Sequence, residues 1–298
     1  MLNKKSMNIL FRCDSSDKIG QGHIRRDLFL AKRLKGEIFF AVRELENNAN
    51  HLIEEGGFHK IILKDNSFEE LKRVILEKQI DFVIFDHYEI DFDFEKKIKA
   101  LKVKTASFDD TYAPHATDIV INANIFANKK RYHQEVWIPK PLIDKRFFVK
   151  RRFFKNRIKK VLIAFGGSDP KNYSFKILKY LPKNWKITIV TTSSNKNIKK
   201  LKTVKNIKLI VDSNNMPKLF KMHDLIIISA STLSIEALAS KTPFISILSA
   251  KNQTEVFKFL KQKRFPSLKK LQKIKISCKE YRQIQKRVIN FRWRRDGD

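Results

Sequence analysis

A histidine one residue past a glycine, between a strand and a helix, can take a proton from water. His23 stands in that position in CDSSDKIGQGHIRRD, with Gly20 and Gly22 ahead of it. Imidazole titrates near neutrality, and the positive end of a helix disfavours imidazolium, which keeps the ring ready as a base. The same spacing also suits a capping or packing histidine. Gly166 and Gly167 hold the equivalent place after a later strand, where backbone amides can approach a phosphate. Tight turns are the alternative for either pair, and two pairs at equivalent places favour a ligand. In SASTLSIEAL, Ser231 and Thr232 can cap a helix and offer hydroxyls and amides to phosphate. Glu236, one turn further in, can accept from both hydroxyls of a ribose or simply face solvent. Asp86, His87 and Tyr88 close another strand where a ligand would lie.

Other chemistries lack their signatures. His51, His59, His115, His133 and His223 show no HExxH or clustered ligand spacing, and Cys13 lies far from Cys278, so no metal site is expected. There is no GxGxxG, no GxxxxGK[ST] and no GxSxG elbow, so neither dinucleotide nor ATP binding is signalled and no cofactor is expected.

Residues placed this way need strands that end together. Short apolar β-rich runs at 7–12, 37–42, 60–63, 81–85, 104–108 and 118–122 alternate with helical spacing over 23–35 and 67–79. The pattern breaks at 150–160, where 7 of 11 residues are basic. It restarts with strands at 161–165, 187–191, 207–211, 225–229 and 244–248, and helices at 172–181, 216–222 and 233–240. This alternation predicts an α/β protein of two Rossmann-like domains with parallel sheets. The expected boundaries are 1–148, a basic linker 149–160, and 161–298 with a basic helical tail. Ligands of such folds sit at the carboxyl ends of the strands, here expected in a cleft between the domains.

The 298 residues include 8 Gly and 8 Pro, too few for a collagen-like or linker-rich chain. No apolar run approaches the ~20 residues of a membrane span, and the N-terminus does not read as a signal peptide. A cytoplasmic protein with no membrane association is expected. Lys and Arg number 63 against 31 acids, a formal charge of +32. Such a field attracts polyanions, although compositional drift toward lysine is the better account of a diffuse excess. From 258 to 298 the chain holds 15 Lys and Arg against 3 acids. No aromatic–glycine RNA signature or helix-turn-helix accompanies them, so no specific nucleic acid partner is expected.

The run FRCDSSDKIGQGHIRRDLFLAKRL, followed in order by IFDHY, SFDD, FGGSD, ISASTLSIEAL and KNQ, closely resembles the PseG family over about residues 7–257. The family consists of UDP-2,4-diacetamido-2,4,6-trideoxy-β-L-altropyranose hydrolases of CMP-pseudaminic acid biosynthesis, which serves flagellin glycosylation. The resemblance implies a two-domain GT-B fold like that of MurG glycosyltransferases, a UDP-sugar substrate and UDP as product. It also implies water attack at the anomeric carbon with inversion, without a metal. It puts the water-activating base on His23, with Tyr88 and Asn252 lining the sugar. Gly166, Gly167 and Asp169 fall near the diphosphate and Glu236 at the nucleotide. Gly20, Gly22, Arg26, Ser231, Leu233 and Gln253 complete the substrate contacts that the resemblance implies.

Family members commonly carry an arginine in an LIRxEF-like segment; here LIDKRFF has Asp144 in its place, with Lys145 and Arg146 beside it. Members also usually continue past the point where this chain ends, Asp296-Gly297-Asp298. An inactive homologue that binds UDP or polyanions is therefore one alternative expectation, and a MurG-like transferase, which shares fold and nucleotide site, is the other. Oligomeric state is left open.

Overall fold

The computed structural model describes residues 6–16, 18–150 and 154–293. The middle of the basic segment, 151–153, and the terminal Asp296-Gly297-Asp298 lie outside them. The chain divides into two compact units between Leu142 and Ile143. The basic segment up to Lys150 thus belongs to the second unit, where the Val149 amide donates to the Ala239 carbonyl and Phe147 packs on Phe220.

In the first unit, β1 (Asn8–Cys13), β2 (Glu37–Arg43), β3 (His59–Leu63), β4 (Phe82–Asp86), β5 (Lys104–Phe108), β6 (Ile119–Ile121) and β7 (Glu135–Trp137) form one parallel sheet. Its order is β3-β2-β1-β4-β5-β6-β7, so the chain reverses direction of winding between β1 and β4. That is the switch point at which doubly wound sheets open a crevice. The helices are α1 (Gly22–Ala31), α2 (His51–Glu55), α3 (Phe68–Glu77) and α4 (Phe92–Lys99). Ile9, Phe11 and Cys13 pack with Ile24 and Leu30 of α1, whereas Leu10 packs with Leu71, Val74 and Ile75 of α3. Alternate residues of one strand therefore serve opposite layers.

The second unit repeats the plan. Strands β8 (Lys160–Ala164), β9 (Lys186–Thr191), β10 (Ile207–Val211), β11 (Leu225–Ser229), β12 (Phe244–Ile247) and β13 (Ser267–Leu268) run parallel in the order β10-β9-β8-β11-β12-β13. Around them lie α5 (Tyr173–Lys176), α6 (Ile198–Lys202), α7 (Met216–Met222), α8 (Thr232–Ala239), α9 (Thr254–Gln262) and α10 (Cys278–Asn290). The helix expected over 172–181 is one α-turn followed by a 3-10 turn, Ile177–Tyr180. Pro182 explains its end, because a residue preceding proline resists the helical region. The basic tail is not one helix: an irregular stretch from 269 separates β13 from α10, which begins with a Ser277–Glu280 capping box. Among the described residues no helix is long and apolar enough to cross a membrane.

Candidate active site

The parallel register pairs Cys13 with Asp86 at the last rung of β1 and β4. Ile84 shares the layer of Phe11 and α1, so alternation carries Asp86 to that layer and His87 to the opposite one. Gly20, at φ +83°, donates its amide to the Ser16 carbonyl and turns the chain from β1 into α1. His23 is thereby delivered in the first turn of α1, directly over the end of β4.

The His23 Nδ1 lies 2.5 Å from Asp86 Oδ1. Burial pushes the Asp86 carboxyl up, but the Arg26 guanidinium and His23 outweigh it and hold the group well below the usual carboxylate range. An ionised Asp86 only accepts, so Nδ1 carries a proton, and in the neutral form of the ring the lone pair lies on Nε2. Arg26, one turn along α1, donates Nε to Asp86 Oδ2 at 2.5 Å and Nη2 to Oδ1. Its Nη1 meets both oxygens of Asp110 at 2.8 and 2.9 Å, and its guanidinium lies 4.5 Å from the centre of the Phe108 ring. Asp110 also accepts from Asn124 Nδ2 at 2.7 Å and from the Tyr88 hydroxyl at 3.0 Å. The Tyr88 ring meets His23 edge-on, centroids 4.7 Å apart, while the residue stays 59% exposed. One guanidinium against two carboxylates leaves Arg26, Asp86 and Asp110 with a single net negative charge beside the His23 ring.

The opposite layer holds a network of different character. Asp14 accepts from Arg12 at 2.8 and 3.0 Å and from Arg43 Nε at 2.6 Å, and His87 Nε2 lies 2.8 Å away. The Glu89 amide donates to His87 Nδ1, so His87 gives its Nε2 proton to Asp14 and has no lone pair to spare. Burial raises the Asp14 carboxyl, yet His87 and Arg12 bring it far below its ordinary value. This network ties together the ends of β1, β2 and β4. The two aspartates of SFDD divide in the same way: Asp110 joins the His23 cluster, whereas Asp109 accepts from the Thr111 and Tyr112 amides and from the Tyr132 hydroxyl.

In the second unit, the turn after β8 carries Gly166 at φ +84° with open space where a side chain would begin. A Cβ on Gly167 would come within 2.9 Å of Thr192 Oγ1, so a side chain there would force Thr192 to shift. Asp169 is buried and turned inward, accepting from the Tyr173 and Ser174 amides at 2.8 Å each. Burial raises its carboxyl. The adjacent β11 leads into α8, whose Ser231 cap accepts weakly from the Leu233 amide at 3.4 Å and meets the Ser229 hydroxyl at 2.9 Å. Glu236 is half-buried one turn later. After β12, Asn252 is exposed on a 3-10 turn, while Gln253 Oε1 accepts from the Ser249 amide and hydroxyl. Lys171 Nζ donates to the Ser249 carbonyl at 2.7 Å and so joins this segment to the turn after β8.

Sequence reading placed Asp86 at the end of a strand near the ligand but missed its pairing with His23, and it gave Asp110 no role; both form the His23 cluster with His23, Arg26 and Tyr88. It placed Arg26 among the substrate contacts; in the fold its donors are taken by two carboxylates. Asp144 accepts from the Arg146 amide at 2.8 Å and pairs with Arg146 Nη2 at 2.7 Å. The neighbouring arginine that could have replaced the family's cation is therefore neutralised by Asp144 itself. Among the described residues no group of three or more His, Cys, Asp or Glu is arranged to hold a metal ion.

No family model matches the chain. It is 40% identical over 274 residues to the UDP-2,4-diacetamido-2,4,6-trideoxy-β-L-altropyranose hydrolase of Campylobacter jejuni, an alignment covering 87% of this chain and 98% of that one. The MurG structure from Acinetobacter baumannii superposes with a TM-score of 0.60 at 14% identity, over 95% of this chain and 94% of that one. Spinosyn rhamnosyltransferase SpnG complexed with thymidine diphosphate gives 0.62 at 9% identity, over 96% and 92%. Such identities establish the fold, that of GT-B glycosyltransferases, and nothing about substrates.

Proposed function

The chain belongs to the family of UDP-2,4-diacetamido-2,4,6-trideoxy-β-L-altropyranose hydrolases, and on that premise we propose that it releases UDP from this sugar nucleotide by water attack at the anomeric carbon. The observation that carries the reading is the His23–Asp86 pair at the switch point of the first sheet. Nε2 of His23 accepts the proton of the attacking water. The imidazolium that forms is stabilised by Asp86, and the cluster passes from one negative charge to none as the proton arrives. A positioned base of this kind contributes about 10²–10⁴-fold.

UDP leaves as a stable anion and needs no proton, so the second carboxylic acid of an ordinary glycosidase is dispensable. What the leaving group needs is an anion site. The open turn at Gly166-Gly167 and the start of α8 at Ser231 offer backbone amides for the diphosphate. Glu236 suits the ribose, and Leu233 packs beside it. Tyr88 and Asn252 face the sugar in this reading, and Gly20 and Gly22 let the substrate approach α1. Arg26 and Asp169 act on the substrate through the groups they hold. A single displacement by water inverts the anomeric configuration. The alternative, transfer to another acceptor, has the fold in its favour but not the relative at 40% identity. Hydrolysis in ¹⁸O-labelled water tests the step: label in the sugar with the inverted anomer appearing first supports it, and label in UDP refutes it.

A further inference from the structure

Asp27 lies on α1 one turn beyond His23, on the face that also carries Arg26. It is completely buried, and neither carboxyl oxygen has a partner in hydrogen-bonding geometry. An ionised carboxylate so placed would be costly. Of the groups facing it, the Arg26 guanidinium and the Cys13 thiol favour the charged form, but burial and the charge of Asp86 outweigh them. From β4 comes Asp86, itself negative, and from β1 comes the Cys13 thiol, which burial holds in its neutral form with Arg12 beyond it. On its own helix, His23 is committed to Asp86, and Arg26 spends its donors on Asp86 and Asp110. Asp86, meanwhile, has capacity left: Oδ1 receives His23 and one Arg26 nitrogen, whereas Oδ2 receives only Arg26 Nε.

We propose that Asp27 is a positioning residue for the His23–Asp86 pair: as a neutral carboxylic acid it donates its proton to Asp86 Oδ2 and fixes the carboxylate that orients the His23 ring. This rests on the reading of His23 as the base. Burial, then the negative charge of Asp86, favours the protonated form of Asp27. Neutrality has a purpose, since an ionised Asp27 would add a second net negative charge to the cluster. That charge would hold His23 as imidazolium and leave no lone pair for water.

Two arms test the inference. On the free protein at about pH 8, an infrared difference spectrum between wild type and Asp27→Asn is expected to show a protonated-carboxyl C=O band that the variant lacks. The low-field Nδ1 proton resonance of His23 should persist in Asp27→Asn and broaden or move in Asp27→Leu, which cannot donate. Absence of the carboxyl band overturns the proposal. In kinetics, Asp27→Leu is expected to lower kcat about 10–100-fold with KM within about threefold, and Asp27→Asn to recover kcat to within about threefold of wild type. The acid limb of the pH–rate profile should stay in place in Asp27→Asn. A limb moved by about one pH unit, equal losses in both variants, or none in Asp27→Leu would each overturn it. The spectroscopic arm needs no turnover, so it judges Asp27 even if the wild type releases no UDP.

Discussion

Replacing Asp86 by Asn removes one charge and leaves the shape of the side chain nearly intact. In the wild type the imidazolium formed at the transition state is in contact with Asp86, Nδ1 to Oδ1 at 2.5 Å. Taking the charges as about 4 Å apart with an effective dielectric of about 20, their attraction is about 4 kcal/mol. Losing it corresponds to about a 10³-fold fall in kcat. A second effect acts in the same direction. Arg26 donates to both oxygens of Asp86, so the amide NH₂ of the variant meets an Arg26 donor whichever oxygen it replaces. Turned toward His23, it makes Nδ1 the acceptor and puts the proton on Nε2, the nitrogen that must take one from water. KM should stay within about threefold, because the lost interaction is made in the transition state. The assay is a continuous UDP-release measurement, with circular dichroism and a urea melt to show that the variant folds. A folded Asp86→Asn enzyme within about tenfold of wild-type kcat would refute the reasoning.

Other perturbations probe separate parts of the account. His115 sits between Glu95 Oε1 at 2.7 Å and Asp109 at 3.9 Å; burial lowers its pKa, but the two carboxylates push it up to about 9. Its charged form therefore stabilises the fold fully below about pH 6.5, and this is lost as pH rises through about 9, on the order of 3 kcal/mol in all. Urea midpoints should show that loss, His115→Gln should flatten it, and an unchanged slope would exclude the pairing. Gly166→Ala meets no steric obstacle but places a side chain at φ +84°, so a destabilisation of about 1–2 kcal/mol is expected from backbone strain alone. Equal stability in denaturant would contradict it. Glu236→Ala should weaken UDP binding about 10-fold or more, as loss of hydrogen bonds from a charged acceptor implies. Unchanged affinity by calorimetry would remove Glu236 from the nucleotide.

The two sheets were legible because their inner strands are continuous apolar runs, such as Leu225–Ser229, buried on both faces. Elements that escaped sequence reading carry weaker signals. Strand β7 is three residues at the sheet edge with two of them exposed, and α4 commits only Glu95 and Ile98 to the interior. His23 and Tyr88 were legible from their neighbours in the chain. Asp86 stood beside Tyr88 in plain view, yet its partnership with His23 spans 63 positions and depends on the rung that sets it against Cys13. Local sequence likewise cannot divide Asp109 from Asp110, because the difference is made by which layer each one faces. Nor does the sequence around Arg26 show the two carboxylates it meets, which lie 60 and 84 positions away.

The central claim is hydrolysis of one sugar nucleotide with His23 as base. The most direct test measures UDP release from UDP-2,4-diacetamido-2,4,6-trideoxy-β-L-altropyranose and from UDP-GlcNAc, by wild type and by His23→Ala. The account predicts release from the first substrate only, with kcat reduced about 10²–10⁴-fold in the variant. Release that survives the substitution within a few-fold, or UDP binding with no release by the wild type, would contradict it.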